Sequence, residues 1–141
     1  NYKTENLIEK LKELCPGGID IYFENVGGKN TEIILSRMNV NSRISLCGLI
    51  SGYNSETIVP GPAWGNLLVK RINLRGFIVF DYIKRYMEAF QDLSTWMRDG
   101  KIKYKNHIIP GIENAENALK KLFNGENLGK LIIEVSKEPT S

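Results

Sequence analysis

The chain has 141 residues, 42% hydrophobic and 25% charged, enough for one domain with its own core or for one part of a larger protein. Its net charge of +3 comes from Lys and Arg interleaved with Asp and Glu, as in "KLKE" and "RYMEAF", so no basic tract invites nucleic acid. No apolar run approaches the roughly 20 residues of a membrane span, and two cysteines with a single histidine offer neither a disulfide framework nor metal-ligand spacing.

The spacing of Leu7, Ile8, Leu11 and Leu14 predicts a first helix, with Thr4 as its N-cap and "PGG" as its stop. A short apolar strand follows at 19–23 and ends abruptly in Glu24, Asn25, Gly27 and Gly28. In an open parallel sheet that end is where ligands bind. The alternative is an ordinary strand-turn-helix whose glycines supply positive φ. A second helix is expected over 30–38, turning through "NVNS" into a second strand, "RISLCG". A polar loop containing Pro60, Gly61 and Pro62 leads to a short helix around "NLLVKR", and "INLRGFIVF" reads as a third strand. Asp81 is expected to cap a helix whose apolar side carries Tyr82, Ile83, Tyr86, Phe90, Leu93, Trp96 and Met97, ended by Gly100. Beyond it lie a strand in "KYKNHIIP", a helix in "ENAENALKKLF" closed by Gly125, a strand in "GKLIIEV" and a fraying end. The alternation over the first hundred residues calls for an α/β fold with a parallel sheet and helices on both faces.

Three strand tips could face a ligand: Asn25 to Gly28, Cys47 to Ser51, and Phe77 to Val79. In a parallel sheet of neighbours they converge on one crevice. Two of the tips carry glycine, so a flat ligand could approach the backbone, and the third offers a greasy wall with main-chain groups. Such a crevice suits a large, partly aromatic cofactor and binds rather than catalyses. There is no G-x-G-x-x-G and no P-loop, so a phosphate-cradling element is missing. Singly, these residues have plainer readings: Cys47 as a buried small hydrophobe, His107 as structural or solvent-exposed, and Asn127 as part of a turn after a helix-capping glycine. Tyr53, in a loop just past the second strand, either packs or donates a hydrogen bond to a substrate oxygen.

The segments "NYKTENL", "GIDIYFENVGG", "RISLCGLISGYN", "NLLVKRINLRGFIVFDY" and "GKIKYKNHIIPGIENAENALKKLFNGENLGKLIIEV" follow one another at a spacing that closely resembles the C-terminal part of the zinc-independent medium-chain dehydrogenase/reductases. The branch they resemble most is that of the NADP-dependent alkenal/alkenone double-bond reductases, including the prostaglandin reductases. The resemblance implies a doubly wound Rossmann sheet retaining family strands 4, 5 and 6. It implies NADP as cofactor, with Tyr2 near the 2'-phosphate, Asn25 along the cofactor, and Cys47, Gly48, Leu49, Ile50, Ser51 and Tyr53 beside the nicotinamide. Phe77, Ile78 and Val79 would hold the carboxamide region through backbone groups, and Asn127 would reach back from the C-terminal segment. Tyr53 matches the loop tyrosine suspected of hydrogen-bonding the substrate carbonyl, in a hydride transfer to the β-carbon of an enal or enone. Glu24 stands where the family more often has Asp, a change expected to be tolerated.

The same resemblance makes residues 1–100 the rear half of a cofactor domain and 101–141 a segment returning to a GroES-like catalytic domain. Two cysteines without a disulfide framework fit a reducing, cytoplasmic setting, and the missing phosphate loop makes the chain, by the same resemblance, a fragment, inactive alone, of a longer enzyme. Family strands 1 and 2 would be missing, leaving the strand at 19–23 with an unpaired edge. Members are commonly dimers, and "INLRGFIVF" is the expected interface. A quinone or enoyl-thioester reductase, or a non-catalytic nucleotide- or partner-binding module, are the rival readings.

Overall fold

The computed structural model describes residues 3–56 and 61–136. The chain forms two compact units, Asn1–Ile83 and Lys84–Ser141.

In the first unit, α1 (Leu7–Leu14) begins two residues later than the sequence implies, because the cap is Asn6 rather than Thr4. The Asn6 side chain accepts hydrogen bonds from the amides of Ile8 (3.0 Å) and Glu9 (3.4 Å), two of the donors a helix start leaves unpaired. Gly18, at φ +87°, turns the chain into β1 (Ile19–Glu24). Helix α2 (Lys29–Arg37) follows and passes directly into β2 (Met38–Leu46).

The turn expected at "NVNS" lies inside that strand. Ile19 is paired with Met38 and Ile21 with Arg43, so residues 39–42 bulge opposite Asp20 alone. Asn41 takes the left-handed conformation there, at φ 63°. The Asn39 amide closes the bulge by donating to Gly17 O (3.0 Å) and Asp20 Oδ1 (2.9 Å).

Helix α3 (Trp64–Lys70) leads to β3 (Asn73–Gly76), completing a parallel sheet in the order β1-β2-β3. The expected parallel arrangement therefore holds, and β1 and β3 are its edges among the described residues. Leu35, Met38 and Ile44 form the buried core, packed by Ile19, Tyr22, Ile34, Leu67 and Ile72. Burying a side chain such as Leu35 contributes about 1.5–3 kcal/mol. Lys70 Nζ donates to Leu35 O (2.9 Å) and Ser36 O (2.8 Å), joining α3 to carbonyls in the last turn of α2. The opposite sheet face leaves Ile21 and Phe23 exposed.

Strand β3 is shorter than the nine-residue run suggested. After Phe77 the chain enters a 3₁₀ segment, Val79–Arg85, broken at Tyr82. Asp81 closes this turn by accepting from Ile78 N (3.3 Å), so it caps the turn and not the following helix, which starts at Tyr86.

In the second unit α4 (Tyr86–Arg98) precedes β4 (Asn106–Pro110), α5 (Ala115–Asn124) and β5 (Lys130–Glu134). The last three make a βαβ unit with parallel strands, His107 facing Leu131 in register. Gly125, left-handed at φ 63°, ends α5 as expected. The described residues contain no helix long and apolar enough to cross a membrane.

Candidate functional site

The parallel register places Glu24, Leu46 and Gly76 side by side, so all three strand tips emerge at one edge of the sheet. The loops that follow are joined by main-chain hydrogen bonds. Glu24 O accepts from Cys47 N (2.8 Å) and Gly48 N (3.3 Å), Asn25 O from Ile50 N (3.3 Å), and Val26 O from Ser51 N (2.9 Å). The third tip joins through Phe77 N, which donates to Leu46 O (3.2 Å). Such a ladder leaves little freedom to the backbone groups facing the edge.

Bare backbone lets the loops close on each other. Gly27 sits at φ +79°, and a Cβ there would lie 3.0 Å from Leu49 Cδ2. A Cβ on Gly48 would lie 2.6 Å from Asn25 Oδ1 and 3.0 Å from Tyr53 Oη. The Asn25 amide and the Tyr53 phenol thus converge on bare backbone. Tyr53 ends the 3₁₀ turn Ile50–Gly52, and its oxygen accepts from Leu49 N (3.4 Å), leaving its proton for another acceptor.

The edge opens into a cleft of about 500 Å³, lined by Cys47, Gly48, Tyr53, Phe77, Ile78 and Asp81. Phe77 is steadied by Phe23 and Tyr82, each with its ring centroid at 6.0 Å. Cys47 is exposed on this cleft and is not the buried hydrophobe expected, because the strand ends at Leu46 and the thiol lies beyond the pleat. Leu49, Ile50, Ile78 and Val79 are also exposed at the tips. Asn127 lies in the second unit, between α5 and β5, where its amide donates to Gly129 O (2.8 Å). Tyr2 falls outside the described residues.

Glu24 was the residue whose role sequence reasoning missed. Only 2% exposed, it receives Val26 N (2.7 Å) and Gly27 N (2.9 Å) on Oε1, and Tyr22 Oη (2.9 Å) and the Thr31 hydroxyl on Oε2. Burial pushes its pKa up, but these four donors together outweigh that and hold it below the usual carboxylate range. Burial and the neighbouring carboxylate both raise the Tyr22 phenol pKa. Tyr22 and Glu24, two apart in a strand, share a face and point inward. That parity is the signal by which the sequence could have shown Glu24 to be internal.

Residues 1–96 match the zinc-binding dehydrogenase family. The chain belongs to that family. It is 42% identical over 139 residues to the NADP(+)-dependent 2-alkenal reductase of Nicotiana tabacum, covering 98% of this chain and 40% of the relative. With prostaglandin reductase 1 of Bos taurus it shares 41% identity over 137 residues, covering 95% of this chain and 42% of the relative. The structure of CurA from Vibrio vulnificus in complex with NADPH superposes with a TM-score of 0.83 at 43% identity, over 92% of this chain and 40% of that one. The chain thus spans about two fifths of the length of the relatives it matches. These relatives place this dehydrogenase-family chain in the medium-chain dehydrogenase/reductase superfamily, with the alkenal and prostaglandin reductases. No three of His, Cys, Asp or Glu cluster to hold a metal among the described residues.

Proposed function

We propose that this chain is the rear part of the cofactor domain, with the segment following it, of an NADPH-dependent reductase acting on the C=C bond of α,β-unsaturated aldehydes or ketones. The observation that carries the reading is the glycine-floored convergence of Asn25 and Tyr53 at aligned parallel tips. A Cβ on Gly48 would collide with both side chains, so bare backbone there lets the two polar groups meet at the strand tips, the end of a parallel sheet where ligands bind. Relatives named as an NADP(+)-dependent 2-alkenal reductase and a prostaglandin reductase support this substrate class. Asn25, the Cys47–Ser51 backbone and the Phe77–Val79 main chain would hold the nicotinamide half, with Asn127 and Tyr2 as further contacts. Bound NADPH supplies a hydride for the substrate's β-carbon. Tyr53 would hold the carbonyl oxygen as negative charge gathers there. Residues 1–100 would belong to the cofactor domain, and 101–141 would return to a catalytic domain. The same reading makes the enzyme a cytoplasmic homodimer joined near β3, where an edge strand is available for a second copy.

Cofactor titration tests this reading directly. The full-length protein is expected to bind NADPH and to turn over an enone faster than a quinone. The 141-residue chain alone, which has no glycine-rich phosphate loop, is expected to bind roughly 10²-fold more weakly, the equivalent of one or two lost charge-assisted hydrogen bonds. Equal affinity in both would overturn the claim that the phosphate site lies elsewhere. A full-length protein without NADPH-linked enone reduction would overturn the function.

Gly48→Ala in the full-length protein is a sharper local test. The methyl group would meet only the movable ends of Asn25 and Tyr53, so stability should change by about 1 kcal/mol or less. NADPH affinity should fall about tenfold as the Asn25 amide is pushed aside. Unchanged affinity in a calorimetric titration would show that Asn25 does not face the cofactor.

A further inference from the structure

Glu24 combines features unusual for a strand end. It is almost completely enclosed, its two carboxylate oxygens each receive two donors, and its own carbonyl takes the amides of Cys47 and Gly48. Oε1 is spent wholly on the amides of Val26 and Gly27, which bracket the turn that presents Asn25. Oε2 is spent on Tyr22, in the same strand, and on Thr31, in the first turn of α2. Strand, turn and helix are therefore tied at one atom group, and the carbonyl ties in the neighbouring loop. A carboxylate is acceptor-only and offers about four lone-pair sites, so it alone matches four donors converging from these directions. A glutamine would put an NH₂ where Tyr22 and Thr31, or the two amides, need an acceptor.

Resting on the reading above, we propose that Glu24 is a positioning residue for the cofactor. Through Thr31 and the Val26 and Gly27 amides it fixes the turn that holds the Asn25 amide beside Gly48 and Tyr53, without itself touching the ligand. Among the described residues the Asn25 side chain has no hydrogen-bond partner, and its placement depends on the backbone that Glu24 holds. Glu24 thus acts on Asn25 as a shaped support acts on a contacting group.

Thr31 gives a test that spares the core, since Thr31→Val keeps the side-chain shape and removes one donor. In the full-length protein Thr31→Val is expected to weaken NADPH binding about five- to tenfold, near 1–1.4 kcal/mol, with a melting temperature lowered by a few degrees for the donor lost to a buried carboxylate. Thr31→Ser should restore the affinity. Glu24→Gln should weaken binding more than Thr31→Val, and Glu24→Asp should recover part of the loss. In protein labelled with ¹⁵N at glycine and asparagine, Gly27 and the Asn25 side-chain amide should shift in Thr31→Val. Shifted amides with wild-type affinity would overturn the positioning role while leaving the reductase reading intact. Unmoved amides would overturn the proposed tie between Glu24 and the turn. A wild-type protein that binds no NADPH would overturn the reductase reading and with it the positioning role, while the amide shifts would still report the tie.

Discussion

Replacing Tyr53 by phenylalanine in the full-length protein is expected to lower enone turnover by about 10²–10³ while moving NADPH affinity less than about threefold. The size follows from the role proposed for the phenol. A donor aimed at an oxygen that gains charge during reaction is typically worth that much, whereas a contact made equally before and during reaction is not. The geometry separates the two effects. The ring is carried by a 3₁₀ turn held through main-chain bonds, with Gly52 N donating to Leu49 O (2.9 Å) and Tyr53 N to Ile50 O (3.3 Å). Removing the hydroxyl frees only Leu49 N, whose bond to it is long at 3.4 Å and lies at the surface. The loop should therefore stay in place, with stability within about 0.5 kcal/mol of the wild type. Turnover equal to wild type in steady-state assays would remove Tyr53 from the chemistry. A parallel fall in NADPH affinity would make it a cofactor contact instead.

What could be read without coordinates divides along physical lines. β1, α5 with its Gly125 terminator, and the β4-α5-β5 succession depend on local periodicity and local stop signals, and they stand where expected. Alternation of helix and strand was enough to give parallel neighbours and so aligned tips. Features set by distant partners were not legible. The bulge at residues 39–42 exists because Asn39 finds Gly17 and Asp20, 22 and 19 residues away. The turn after Phe77 is by contrast local, closed by Asp81 three residues on from Ile78, and it was hidden because the apolar run suggested more strand. Cys47 reads as core from its neighbours, but it lies one residue past the last paired position. Glu24 looked like a ligand-facing charge because charges usually mark surfaces. Only the meeting of Tyr22, Thr31 and two amides makes its burial affordable.

The second large effect is on stability. Gly129→Ala is expected to destabilise the unit Lys84–Ser141 by about 3 kcal/mol or more, lowering its melting temperature by roughly 12–24 °C. Gly129 is at φ +80°, and a Cβ there would stand 2.0 Å from Lys105 O and 2.7 Å from Lys105 C. Both are main-chain atoms, so no side chain can swing away. The same carbonyl receives Lys130 N (2.8 Å) at the start of the β4–β5 pairing, and relieving the collision breaks that bond. Gly100→Ala, in the same unit, supplies the control. It shares a positive φ of +70° but has nothing within 4 Å of the added methyl, so it should cost only the conformational strain of about 1–2 kcal/mol. The difference between the two variants in thermal unfolding isolates the steric term. Equal melting temperatures would mean that the chain at Lys105 yields, and that the β4–β5 register is not fixed at its entrance.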